Sequence, residues 1–261
     1  MAFLITGASS GIGLELARVC AEHHHDVVLV ARSEPTLHSE AESIHRDHHV
    51  RAEVIATDLA DNKAAESIVS RVNELGLTIE ALVNNAGFGG YGPFLETSLD
   101  VELAMIQVNI VALTQLTKRL LPPMVARRSG RILNVASTAA FLPGPLMAVY
   151  YATKAYVLSL SEGLAEELSG SGVTVSVLCP GPTASGFVAA AGLQQSKLVA
   201  GKTLASPRSV AEAGYNGMMA GKRVVIPGLM NKVTANIPRV SPRWLVARVV
   251  RIAQARVNRR R

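Results

Sequence analysis

The feature that most constrains what this chain can fold into is an alternation that begins at its first residues. Short, unbroken apolar runs are separated by longer segments of helical pattern. AFLIT (2–6), DVVLVAR (26–32), RAEVIATDL (51–59), EALVNNAG (80–87), GRILNVAS (130–137) and GVTVSVLCPGP (172–182) read as strands. Residues 11–23, 34–48, 62–75, 99–125 and 149–169 read as helices. A strand wetted on one side alternates polar with apolar residues. Runs that are apolar throughout are buried on both faces, as parallel strands joined by crossover helices are. The expectation is an α/β fold built on a doubly wound parallel sheet of six strands. No linker, low-complexity stretch or repeat divides it. Residues 1–228 read as one domain and 229–261 as a basic helical C-terminal extension.

Composition narrows the class. Hydrophobic residues make up 49% of the 261, which argues for a large core and against a disordered chain. No apolar run reaches the roughly 18 residues that span a bilayer. MAFLIT runs straight into a glycine-rich turn and lacks the basic n-region of a signal peptide. Cys20 and Cys179 lie in apolar stretches without metal-ligand spacing, and read as buried thiols in a reducing, cytoplasmic setting. The formal net charge of +6 is unevenly placed. Residues 239–261 hold eight of the 26 Lys and Arg residues and no acid, so the rest carries 18 basic residues against 20 acidic ones. That body gives no electrostatic ground for nucleic-acid binding.

The turn after the first strand is TGASSGIG, residues 6–13, with Gly7, Gly11 and Gly13 spaced G-x-x-x-G-x-G. Glycines admit positive φ and close backbone approach. The N–H groups and positive dipole end of the helix beginning at Ser9, Ser10, Gly11 and Ile12 suit a pyrophosphate. In such a sheet the end of the second strand meets the adenine ribose. An acid there would bind a 2′-hydroxyl, but the chain offers Ala31, Arg32 and Ser33. A guanidinium pairs with a 2′-phosphate, so Arg32 favours NADP(H) over NAD(H). Asp58, followed by Leu59, is placed either to accept from the adenine amine or to cap the next turn.

YYATK (150–154) sets two tyrosines before a lysine. Helical spacing favours Tyr150 only slightly, since Lys154 is four residues from Tyr150 and three from Tyr151. TGASSGIG, NNAG (84–87), Asn109, Ser137 and YYATK occur in an order and spacing that resembles the short-chain dehydrogenase/reductase family, over about residues 2–185. The resemblance implies a Rossmann-like fold and the catalytic motif Y-x-x-x-K, which fits Tyr150 and Lys154. It further implies that Ser137 donates to the substrate oxygen and that Asn109 holds a water leading protons from Lys154 to solvent. Asn85, Ala86 and Gly87, and Pro180, Gly181 and Thr183 of CPGPT, are assigned to the cofactor site. Reduction of a ketone puts negative charge on its oxygen as hydride arrives, so a proton donor must stand there. A phenol with a pKa of roughly 10 is a poor base at neutral pH. The Lys154 ammonium and a cationic nicotinamide are expected to favour its phenolate.

GFGGYGPF (87–94), AAFLPGPLM (139–147) and SGFVAAAGL (185–193) are expected to wall the substrate cleft, and the last to serve as a mobile lid. Being apolar, they favour a hydrophobic carbonyl or acyl substrate. His23–His25 and His45, His48 and His49 fall near helix ends, where imidazolium suits the dipole, and no metal is expected. A homo-oligomer, dimer or tetramer, is expected. The alternative to an enzyme is a catalytically silent NADP(H)-binding regulator, or a protein whose tail docks a membrane or partner. In that tail Trp244, Leu245, Val249, Ile252 and Val257 recur near helical spacing among arginines. They suit either a helix packed on the body or one lying on an anionic membrane or acidic partner.

Overall fold

The computed structural model describes residues 1–187, 191–193, 196–197 and 203–255. Seven parallel strands form one sheet: β1 (Ala2–Thr6), β2 (Asp26–Ala31), β3 (Ala52–Ala56), β4 (Ile79–Asn84), β5 (Gly130–Val135), β6 (Val173–Leu178) and β7 (Val224–Val225), in the order β3-β2-β1-β4-β5-β6-β7. Six of these are the strands expected from the sequence. The seventh is a two-residue edge pairing, Val177 with Val224 and Leu178 with Val225, too short to carry any periodicity.

The helices are α1 (Gly11–Glu22), α2 (Glu34–His48), α3 (Ala64–Glu74), α4 (Leu99–Ile106), α5 (Leu113–Ala126), α6 (Ala148–Glu167), α7 (Pro207–Met219), α8 (Leu229–Asn236) and α9 (Arg243–Gln254). Successive side chains of a strand point to opposite faces, and here both faces are covered. Phe3 and Ile5 of β1 join Leu16, Cys20, Leu133 and Met218 on one side. Ala2 and Leu4 join Ile68, Leu116, Leu120 and Ile132 on the other. That division is why the strands read as unbroken apolar runs.

α4 and α5 are fused through a π-helical turn, Gln107–Ala112. The fused helix, Leu99–Ala126, is 28 residues long and apolar enough by length and composition to cross a membrane, which corrects the expectation that no segment reaches that length. Its Leu113, Leu116, Leu120 and Met124 are buried in the domain. Three of the histidines near helix ends are engaged: His23 stacks on Tyr215 with ring centroids 4.5 Å apart, His25 Nε2 lies 3.0 Å from the Tyr215 hydroxyl, and His45 Nδ1 lies 2.9 Å from the Val50 carbonyl. Burial lowers the pKa of His25.

Candidate active site

Strand order reverses at β1 and β4, and the crevice at the carboxyl ends of these strands is where α/β sheets hold ligands. The turn from β1 into α1 lies there. Gly7 and Gly11 have φ of +67° and +58°, a region that side chains other than glycine rarely adopt. Gly13 serves another purpose: a Cβ on it would overlap the Gly7 carbonyl and the Asn85 amide. The helix therefore begins as close to the strand end as a backbone can come. Ser10 is the N-cap and makes no side-chain capping bond.

Thr6 staples this turn to the end of β4. Its hydroxyl accepts from the backbone N–H of Asn85 and of Ala86, each at 3.0 Å, and donates to the Val83 carbonyl at 3.3 Å. Asn85 Nδ2 donates to the Thr6 carbonyl at 2.9 Å. Sequence reasoning assigned Asn85, Ala86 and Gly87 to the cofactor site but missed Thr6. Its place as the last residue of β1 was the available signal.

Arg32 follows β2, is exposed, and makes no ion pair among the described residues. Asp58 is also exposed, and its Oδ1 accepts from the Ala60 N–H at 3.0 Å, the capping contact of its two readings. The Leu59 side chain is buried in the core cluster around Ile68, which leaves only its backbone for a ligand.

The two tyrosines part company. Tyr150 is buried, and the nearby Ser137 side chain, whose Oγ donates to the Pro180 carbonyl at 3.4 Å, offsets part of the effect of burial on its phenol. Tyr151 instead accepts a hydrogen bond from Gln254 Nε2, and its ring packs where a Cβ on Gly144 would stand. Ser137 caps the 3-10 turn Thr138–Phe141 by accepting from the Ala139 N–H at 3.1 Å. Pro180 lies on the same spot, its carbonyl accepting from the Thr138 N–H at 2.9 Å. Thr183 is buried and donates to the Gly181 carbonyl at 3.0 Å.

Lys154 Nζ donates to the Val135 carbonyl at 2.8 Å and stands 5.9 Å from the Tyr150 ring centroid. Burial lowers its pKa to about 8, against the weaker opposing pull of Cys179. Burial also pushes the Tyr150 phenol up, opposed only in part by the Ser137 side chain. The expected lowering of the phenol by Lys154 is therefore not what the protein alone provides. The lysine donates to the Val135 carbonyl, and for the phenol loss of solvent is the largest effect.

Asn109 sits in the π turn, a geometry common at functional sites. Its Nδ2 donates to the Phe88 carbonyl and the Thr153 hydroxyl, each at 3.0 Å, and its Oδ1 accepts from the Phe88 N–H at 3.1 Å. These bonds fasten the loop after β4 to the helix bearing Tyr150.

Above Tyr150 lies an apolar cluster of Met105, Ala139, Met147, Val246 and Val250, with Phe88 and Phe187 against it. Phe187 is 5.2 Å from Tyr150, ring to ring. Of the expected lid, residues 188–190 lie outside the described residues; Phe187 and Leu193 do pack on this cluster. The packing partner that sequence reasoning missed is the inner face of α9, whose Val246 and Val250 join this cluster. Val246, Val250 and Gln254 are the buried residues of α9, spaced four apart, and that spacing was the signal.

Comparison with known proteins agrees with this geometry. The family model described as short chain dehydrogenase matches residues 1–196. Ketoacyl reductase HetN of Nostoc sp. is 32% identical over 242 residues, covering 92% of this chain and 78% of its own. The very-long-chain 3-oxoacyl-CoA reductase of Homo sapiens is 32% identical over 254 residues, covering 95% of this chain and 77% of its own. A short-chain dehydrogenase from Sphingobium yanoikuyae, solved in complex with NADPH, superposes with a TM-score of 0.81 at 32% identity, covering 100% of this chain and 99% of that one. A β1–α1 glycine turn stapled to NNAG, and a tyrosine, serine and lysine gathered beneath an apolar cleft, thus belong to a chain that is a member of the short-chain dehydrogenase/reductase family of oxidoreductases.

Proposed function

We propose that this chain uses NADPH to reduce a hydrophobic ketone or 3-oxoacyl compound to the alcohol. The observation that carries the reading is the burial of Tyr150 and Lys154 side by side, Nζ 5.9 Å from the Tyr150 ring, against an apolar cluster and close to Ser137. The residues present fit a dinucleotide. Gly7, Gly11 and Gly13 keep the β1–α1 turn free of side chains at three positions, and Arg32 makes no ion pair among the described residues that a 2′-phosphate would have to displace. Bound NADPH supplies the hydride.

The chain's own groups handle the proton. The Ser137 hydroxyl donates to the carbonyl oxygen and stabilises charge developing there. The Tyr150 phenol, kept protonated by burial, gives its proton to the same oxygen. Lys154, with a pKa near 8, is placed to favour the phenolate left behind and to take part in its reprotonation. Asn109 keeps the Phe88 loop against this helix. Apolar walls at Met105, Met147 and Phe187 favour a substrate without a carboxylate near the carbonyl. The names of two relatives, a ketoacyl reductase and a very-long-chain 3-oxoacyl-CoA reductase, support the acyl class. Association into a dimer or tetramer in the cytoplasm is part of this reading, with Leu99, Val101 and Leu103 exposed on α4 for a second copy.

The test is NADPH consumption across 3-oxoacyl thioesters, aliphatic ketones and steroid ketones. Turnover of at least one class, with NADH a poorer donor, is expected. Tight NADPH binding without turnover of any would favour the silent regulator instead.

A further inference from the structure

The C-terminal helix α9 has two apolar faces. The inner one packs on the body: Val246, Val250 and Gln254 are buried, the two valines in the apolar cluster that includes Tyr150. Gln254 locks it there. Its Nε2 donates to the Tyr151 hydroxyl, and its backbone carbonyl accepts from the Tyr91 hydroxyl at 2.6 Å and the Ser196 hydroxyl at 3.3 Å. The outer face carries Trp244, Val249 and Ile252, which are 68%, 56% and 62% exposed, set among the exposed Arg243, Arg248 and Arg251. The segment leading into α9 adds Leu229, Met230 and Val240, of which Val240 is 89% exposed.

Scattered exposed apolar residues need no explanation, but a helix face of them flanked by arginines does. From residue 213 to the end the chain has 11 Lys and Arg residues and no acid. A second copy meeting this face about a two-fold axis would bring arginine against arginine. An anionic surface with an apolar interior satisfies both halves of the pattern: arginines at the headgroups, and tryptophan and aliphatic side chains below them.

We infer that the outer face of α9 docks on an anionic lipid surface, which sets the apolar cluster around Tyr150 one helix away from the membrane. The docking stands on α9 alone. Its use, delivery of a lipid-dissolved carbonyl compound past α9 to Tyr150, rests on the function proposed above.

Trp244 is the protein's only tryptophan, so its emission reports the docking without any variant and without turnover. Failure of docking and failure of the reductase reading are thereby distinguishable. The full chain is titrated with vesicles of phosphatidylglycerol and phosphatidylcholine, and with phosphatidylcholine alone. The expected result is a shift of Trp244 emission to shorter wavelength and co-sedimentation with the anionic vesicles only, both reversed by salt. Replacing Arg243, Arg248 and Arg251 together by Gln should weaken binding about 100-fold, at roughly 1 kcal/mol per arginine. Val249→Ser with Ile252→Ser should weaken it as well, with the thermal unfolding midpoint retained. Unchanged Trp244 emission on anionic vesicles at low salt would overturn the inference. So would equal binding to neutral vesicles, or an oligomer split by the serine pair in a protein that ignores vesicles.

Discussion

Lys154 offers a prediction whose size can be worked from its surroundings. Its ammonium is buried and holds one carbonyl, that of Val135 at 2.8 Å. Burial brings its pKa from an ordinary 10.5 to about 8. A depressed lysine pKa means that the native protein binds the proton less tightly than the unfolded chain. Below pH 8 both states are protonated, and the native state bears the full penalty of a buried charge. As pH rises from 8 towards 10.5 the native lysine is neutral while the unfolded one still holds its proton, so the penalty is progressively relieved. At about 1.4 kcal/mol per pH unit the relief amounts to about 3 kcal/mol. Lys154→Met abolishes this dependence and adds a pH-independent cost for the abandoned Val135 carbonyl. Titrations of groups that do not interact with Lys154 contribute to both proteins and cancel in the difference. Urea unfolding of the nucleotide-free proteins at a series of pH values from 7 to 11 measures it. Wild type should gain stability relative to Lys154→Met by about 3 kcal/mol between pH 8 and 10.5. A difference that stays flat, or that falls, would refute the claim that Lys154 is held in a low-dielectric site.

Two further substitutions test the cofactor cradle. Arg32→Ala should weaken NADPH by about 10- to 100-fold, a charge-assisted contact of roughly 1.5–3 kcal/mol, and leave NADH unmoved; equal loss for both, by nucleotide fluorescence titration, would remove Arg32 from the 2′-phosphate. Gly13→Ala places a methyl on the Gly7 carbonyl and the Asn85 amide, and should cost about 1–3 kcal/mol in urea unfolding and abolish nucleotide binding; an unchanged midpoint would show that the β1–α1 junction is looser than described.

The sheet was legible because burial on both faces leaves a mark no other arrangement leaves: Phe3 and Leu4 point opposite ways and both are inside. The two-residue β7 left none. The catalytic cluster was legible as motif, but its electrostatics were not. Lys154 finds its partner in Val135, 19 residues away, and no spacing rule announces a backbone acceptor contributed by a neighbouring strand. α9 was half legible. The stripe of Trp244, Leu245, Val249 and Ile252 is real but faces outward. The buried stripe of Val246, Val250 and Gln254 was obscured by a polar residue that is wholly inside because Tyr151 takes its amide proton. Reading apolar residues as inward and glutamine as outward inverts such a helix.

The account's central claim is that Tyr150, and not its neighbour, delivers the proton. The direct measurement is kcat for carbonyl reduction by wild type, Tyr150→Phe and Tyr151→Phe, with NADPH affinity measured alongside. Tyr150→Phe removes the buried phenol beside Lys154 and should lower kcat about 10²- to 10⁴-fold with NADPH affinity little changed. Tyr151→Phe strands the Gln254 amide, and should lose some stability while keeping most of its rate. A Tyr150→Phe enzyme that keeps its rate, or a Tyr151→Phe enzyme that loses it, would contradict the account.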